Sequence, residues 1–213
     1  MAQSTLSNGY IKYTVAIDSD LPAASFLSIG TTLEIAFKGQ QTKVVAKVAG
    51  GTNTVQAVAN HGNVTGLSLL DVMSEKKAIK LGSSDYKKAQ EGIEQLTNNP
   101  IRVTESTKTI AGYLCQKVLM KDKQTGANII LYVTDKVNPK GDPLAQQLIK
   151  AVKGFPLGIV VRQENTTVRL TASTVTGQTP SDGAFSQKIP NGYEVMTLKE
   201  LEATIQRRAR EHH

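Results

Sequence analysis

The chain has 213 residues, 39% of them hydrophobic, a net charge of +7 and a single cysteine. That length fits one large β domain and suffices to bury about 70% of the unfolded surface without a disulfide or metal. Lone Cys115 excludes an intramolecular disulfide, and no run of about 18 apolar residues is present to form a transmembrane helix.

The aromatic fraction is only 5% and Trp is absent, which is low for a densely packed core. The lysines stand singly, as at Lys43, Lys47, Lys117 and Lys121, and the one dense basic run is Arg207, Arg208 and Arg210. This patterning describes a solvated positive surface. Without aromatic-basic stacking motifs, no nucleic-acid partner is expected.

In chain order, Gly9 to Ile17 alternates, with Ile11, Tyr13, Val15 and Ile17 on one face of a strand. Asp18-Ser19-Asp20-Leu21-Pro22 breaks it. Thr32 to Lys38 alternates again, Gly39-Gln40 reads as a hairpin turn, and Thr42 to Ala49 returns. Gly50-Gly51 turns the chain into Thr54 to Ala59, and His61-Gly62-Asn63 turns it into Val64 to Met73. The period then changes: Tyr86, Ala89, Ile93 and Leu96 predict a surface helix over 83–96. Strands resume at Ile101 to Glu105, Tyr113 to Lys121 and Ala127 to Thr134. Asp142-Pro143 opens a helix with an acidic cap and Pro in the first turn, striped by Leu144, Leu148, Ala151 and Val152 and ended by Gly154. Leu157 to Glu164 and Val168 to Thr176 form a hairpin about Asn165. Thr197 to Glu200 is a capping box for a last helix carrying Leu198, Leu201 and Ile205, and 207–213 reads as a frayed tail.

About ten strands and three helices without regular crossovers make a mainly β or α+β chain. The expected architecture is a single domain: one strongly curved antiparallel sheet, a half-open barrel, with the helices on its concave side.

Chemistry-bearing patterns are sparse. His61 sits beside Gly62 and reads as an exposed turn residue, leaving a Ser-His-Asp triad without its base. No nucleophile elbow, Gly-x-Gly-x-x-Gly or Walker lysine occurs. One Cys and one internal His do not build a zinc site, and Asp18-Ser19-Asp20 lacks the rest of a calcium loop. Cys115, in an alternating strand, reads as a buried inert thiol. No catalytic residue, metal or cofactor is expected, and the chain does not read as an enzyme. A curved sheet must nevertheless cover its concave face. Leu33, Ile35, Phe37, Val44, Val48, Ile129, Leu131 and Leu170 are aliphatic or aromatic and would line it, over a self-closed core or against an apolar ligand such as an acyl chain.

Three segments carry a resemblance. Thr109-Ile110-Ala111-Gly112-Tyr113-Leu114-Cys115-Gln116-Lys117, followed by Ile130-Leu131-Tyr132-Val133-Thr134, resembles the I-x-G-Y-x-C-x-K signature of exported Bacteroidetes proteins of unknown function, the GLPGLI-type group included. Phe185 to Met196 is similar to the F-x-x-x-x-P-x-G-Y-x-x-M ending of the same proteins and of the wider class around the periplasmic lipoprotein carrier LolA. The strand pair at 31–49 with Lys38-Gly39 looks like their hairpin. The resemblance implies a half-closed barrel of about eleven strands plugged by helices. It also implies a periplasmic or outer-membrane-associated location and a lipid or lipoprotein acyl chain as partner; protein partners stay unnamed. The start at Met1-Ala2-Gln3-Ser4 fits an exported protein whose signal peptide was removed, and His212-His213 reads as a tag remnant. The alternative is a structural or protein-interaction module of the envelope.

Overall fold

The computed structural model describes residues 4–20 and 28–211, with side chains through Thr204. The Leu21-Pro22 breaker and the Ile205 side chain lie outside the described residues. Twelve strands form one sheet: β1 (Gly9–Ser19), β2 (Thr32–Lys38), β3 (Gln41–Val48), β4 (Asn53–Asn60), β5 (Thr65–Val72), β6 (Glu75–Leu81), β7 (Ile101–Ile110), β8 (Tyr113–Lys121), β9 (Asn128–Thr134), β10 (Phe155–Gln163), β11 (Thr166–Thr176) and β12 (Glu194–Met196). Among the described residues three α-helices accompany them: α1 (Ser83–Thr97), α2 (Pro143–Val152) and α3 (Leu198–Glu211).

The sheet order is β12-β6-β5-β4-β3-β2-β1-β11-β10-β9-β8-β7. It joins two meanders, β1–β6 and β7–β11, along the antiparallel β1–β11 seam. Every pairing is antiparallel except β12 on β6, where Glu194, Val195 and Met196 run parallel to Lys77, Ala78 and Ile79. The two outermost strands, β12 and β7, are not paired with each other, so the sheet stays open.

The sheet curls strongly, and α1 gives the measure. Strands β6 and β7 are ten intervals apart in the sheet order, about 48 Å if flat. Yet α1, whose 15 residues span only about 22 Å, runs from the end of one to the start of the other. The helices lie inside this curl. Leu148, Ala151 and Val152 of α2 and Leu96 of α1 pack on Val118, Met120, Leu131 and Val133. Outside, the segment after β11 crosses the sheet: Phe185 packs on Ala36 and Val58, and Ile189 and Tyr193 pack on Leu67, Leu69 and Ala78.

Residues 109–117 have a plain structural role. Ala111 and Gly112 both have positive φ, at 49° and 82°, the tight turn that matches strand twist in a two-residue hairpin. On either side of it Ile110, Tyr113 and Cys115 are buried in the main core with Ile11, Tyr13, Phe37 and Leu157. Lys77 of β6 is ion-paired with Glu194 of β12, tying the ending motif to the sheet.

Several boundaries correct the sequence reading. The strand expected over Val64 to Met73 is β5, and it is followed by a strand the sequence reading did not mark, β6 at Glu75–Leu81. The sheet therefore has twelve strands, not ten or eleven. In α2 the left-handed cap is Lys153 (φ 61°), while Gly154 serves a different need: a Cβ there would lie 2.9 Å from the Thr134 carbonyl oxygen. The backbone of α3 is helical to Glu211, and the expected capping box forms at its start: the Glu200 carboxylate accepts from Thr197 N–H (2.6 Å), and Thr197 Oγ1 accepts from Glu200 N–H (3.2 Å).

Candidate functional site

Burial changes sharply along the strands. At one end of β1, Ile11 and Tyr13 are 0% and 1% exposed, and Tyr13 donates its hydroxyl to the Pro156 carbonyl at 2.8 Å. Two turns of the alternation later, Val15 and Ile17 on the same face are only half-buried. The register extends this condition across the sheet. Leu33, Ala46, Val55 and Leu70 stand in one cross-strand row, and Ile35, Val44 and Ala57 in the next. All seven are half-buried. Beyond the seam, Leu170 pairs with Val15, and Val168 pairs with both Ile17 and Val161, again half-buried. An aliphatic face thus crosses from β10 to β5 with its neighbours covering it in part.

The eight residues expected to line a ligand divide along this gradient. Phe37 and Leu131 are buried in the packed clusters, at 2% and 5% exposure. Leu33, Ile35 and Leu170 are half-buried against the main core, and Ile129 against the helix-covered cluster. Val44 and Val48 are half-buried on the partly covered face.

At the far end of that face lies a feature that corrects the reading of His61. The row after Ile35, Val44 and Ala57 runs Phe37, Thr42, Ala59, Gly66 and Leu81. His61 continues the alternation of Val55, Ala57 and Ala59, so its side chain points inward and is 4% exposed, not a solvated turn residue. Its Nε2 is 3.2 Å from Thr42 Oγ1 and 3.4 Å from Asp142 Oδ2, and Thr42 Oγ1 donates to Asp142 Oδ2 at 3.0 Å. The other Asp142 oxygen caps α2, accepting from the backbone N–H groups of Leu144 (3.0 Å) and Ala145 (3.1 Å). Gly141 makes this possible. A Cβ there would land on the Gly39 carbonyl, so only glycine lets the loop before α2 lie on the β2–β3 turn and carry Asp142 to Thr42.

Burial by itself would raise the Asp142 carboxyl, but hydrogen bonds from His61, Ala145 N–H and Thr42, with the adjacent imidazole, hold it below the ordinary carboxylate value. The Tyr86 ring stands edge-on to His61, centroids 5.7 Å apart at 84°. Burial, then the nearby Asp142 charge, raise the Tyr86 phenol. Among the described residues His61 Nδ1 is the buried side-chain nitrogen or oxygen left without a hydrogen-bond partner.

Around this cluster two lobes open between the helices and the sheet, sharing His61, Tyr86 and Leu144. One, of about 280 Å³, has Ser83, Lys87, Gln90 and Gln147 on its walls. The other, of about 270 Å³, is walled by Ala59, Leu81, Ala89 and Leu198. Sequence reasoning missed the cluster because Thr42, His61 and Asp142 come from three separate segments. The period-two run through His61 was the one local signal for it. Cys115 is 0% exposed, donates weakly to the Tyr113 carbonyl (3.4 Å), and has its thiol pushed up to about 11, chiefly by burial. None of the described helices is long and apolar enough to cross a membrane.

No protein-family profile and no curated protein matches the chain. Among solved structures it is similar to PNGF-II in two crystal forms, at 14% identity with TM-scores of 0.51 and 0.52, over 93% and 94% of this chain. The chain spans about a third of PNGF-II's length, 33% in both forms, and the likeness is one of fold. The Mycobacterium tuberculosis lipoprotein LppX aligns over 83% of this chain and 89% of its own at 12% identity, with a TM-score of 0.42, too low to carry an argument.

Proposed function

We propose that this chain is a non-enzymatic cell-envelope protein that binds a lipid or other apolar ligand along the half-covered face of its sheet. The observation behind this reading is the aliphatic rows Leu33–Ala46–Val55–Leu70 and Ile35–Val44–Ala57, half-buried while the same face a few residues away is sealed. Leaving apolar surface in water costs about 25 cal/mol per Å², so a ligand that covers it gains what the core has not taken. The walls are aliphatic with few polar groups, which suits an acyl chain. The envelope location, and a LolA-like role as a carrier, rest on the motif resemblance.

The test is a titration of delipidated protein with a fluorescent fatty-acid probe. Saturable binding is expected, weakened about tenfold or more in a Val44→Glu or Val55→Glu variant, since a buried carboxylate is costly beside an acyl chain. Absence of saturable binding overturns the reading.

A further inference from the structure

The cleft at His61 adds a headgroup to that ligand. We infer that the two lobes form a subsite for the polar end of a neutral amphiphile carrying a hydroxyl donor, as in a monoacylglycerol. The inference rests on the acyl-binding reading above, because Ala59 and Leu81 continue the same face on which the chain would lie.

The chemistry follows from proton positions. Thr42 Oγ1 gives its one proton to Asp142 Oδ2, so towards His61 it accepts. Nε2 at 3.2 Å then carries a ring proton, an assignment made by the network. In the tautomer with that proton alone, Nδ1 has a bare lone pair, buried and unpartnered. A buried acceptor without a partner is costly, and a ligand donor would recover that cost. The ring lines both lobes, and its Nε2 edge is the one held by Thr42 and Asp142. Tyr86 stands edge-on to the ring, on a helix that contributes no buried residue, and an outward swing of that side chain, releasing its 3.4 Å hydroxyl contact to the Thr65 carbonyl, would open the way. Leu144 and Leu198 contact the last methylenes, and Gln90 and Gln147 meet a second hydroxyl in the polar lobe. A hydroxyl donates to bare Nδ1. A methyl ester has no proton to give, and a carboxylate brings a second negative charge beside Asp142.

The experiment compares 1-monodecanoylglycerol, methyl decanoate and decanoate at pH 8, by competition with the fluorescent probe and by the imidazole ¹⁵N signals of His-labelled protein. The glycerol ester should bind about fivefold tighter than the methyl ester, the worth of roughly one hydrogen bond, and should shift the His61 Nδ1 signal. His61→Phe should keep acyl binding and lose the preference. Should that variant not fold, the ¹⁵N response of the unmodified protein decides by itself. Equal affinities with an unmoved Nδ1 signal overturn the headgroup subsite and leave acyl binding standing. Failure of all three ligands to displace the probe overturns the subsite, and failure of the probe itself to bind overturns both.

Discussion

The two ends of the β1–β2 region are built from the same kinds of residue and differ in what stands over them. At the packed end, Ile11, Tyr13, Phe37, Cys115 and Leu157 are each no more than 2% exposed, because the β7–β8 hairpin brings Ile110 and Tyr113 to the same cluster. At the other end, Val15, Ile17, Leu33 and Val55 have the alternation of core residues but remain half-buried. Periodicity therefore says which way a side chain points and not whether anything covers it. The uncovered stretch is where binding is cheapest for the fold, since little packing is lost there.

Substitutions should expose this contrast. Leu157→Ala, at the sealed end, should cost about 2–5 kcal/mol in chemical denaturation, by lost burial plus the cavity left behind. Val55→Ala, on the half-covered face, should cost about 1 kcal/mol or less. Equal losses would erase the distinction between the two regions. Gly141→Ala forces the loop before α2 away from the Gly39 carbonyl and should cost about 1–3 kcal/mol, with the Thr42–Asp142 contact broken. Asp142→Ala removes the cap of α2 and should cost about 1 kcal/mol, read by the loss of protection of the α2 amides in hydrogen exchange.

Acid should act on the same carboxyl. Its value is lowered in the fold, so its contribution is full above the ordinary Asp value near 3.9 and fades as pH falls through the lowered one. Wild type should therefore lose more stability on acidification below about pH 4 than Asp142→Asn does. The smallest effect is chemical: with its thiol raised to about 11 and its side chain sealed, Cys115 should resist a thiol reagent at pH 8 until denaturant is added.

Much of the fold was legible in local pattern. The alternation in β1 to β4, the Asp142-Pro143 cap and the Thr197–Glu200 box each map to the elements they predict. What escaped did so for different physical reasons. In β6, Ala78 and Ile79 are both buried on opposite faces, at 0% and 2%, because β6 is covered on both sides, so no alternation marks it. β12 is three residues long and exists through its parallel pairing with β6. In β7 the sequence from Glu105 to Thr109 is exposed on both faces and carries no apolar rhythm, though it is a strand throughout. The His61 cluster depends on Gly141 lying against Gly39, about a hundred residues away in sequence, a contact that local composition does not encode.

The β1–β11 seam also has a meaning in time. Tyr13 meets Ala172 and Ile17 meets Val168, so the first strand made is completed by the eleventh. Each meander can close through neighbouring hairpins, but the seam must wait for nearly the whole chain, and pairings at such separation are slow to form. Until then β1 and β11 both offer unpaired edges. The late step in folding is thus the one that brings the half-covered rows of the two meanders onto a common face, and the surface suited to an apolar ligand comes into being only when the protein is finished.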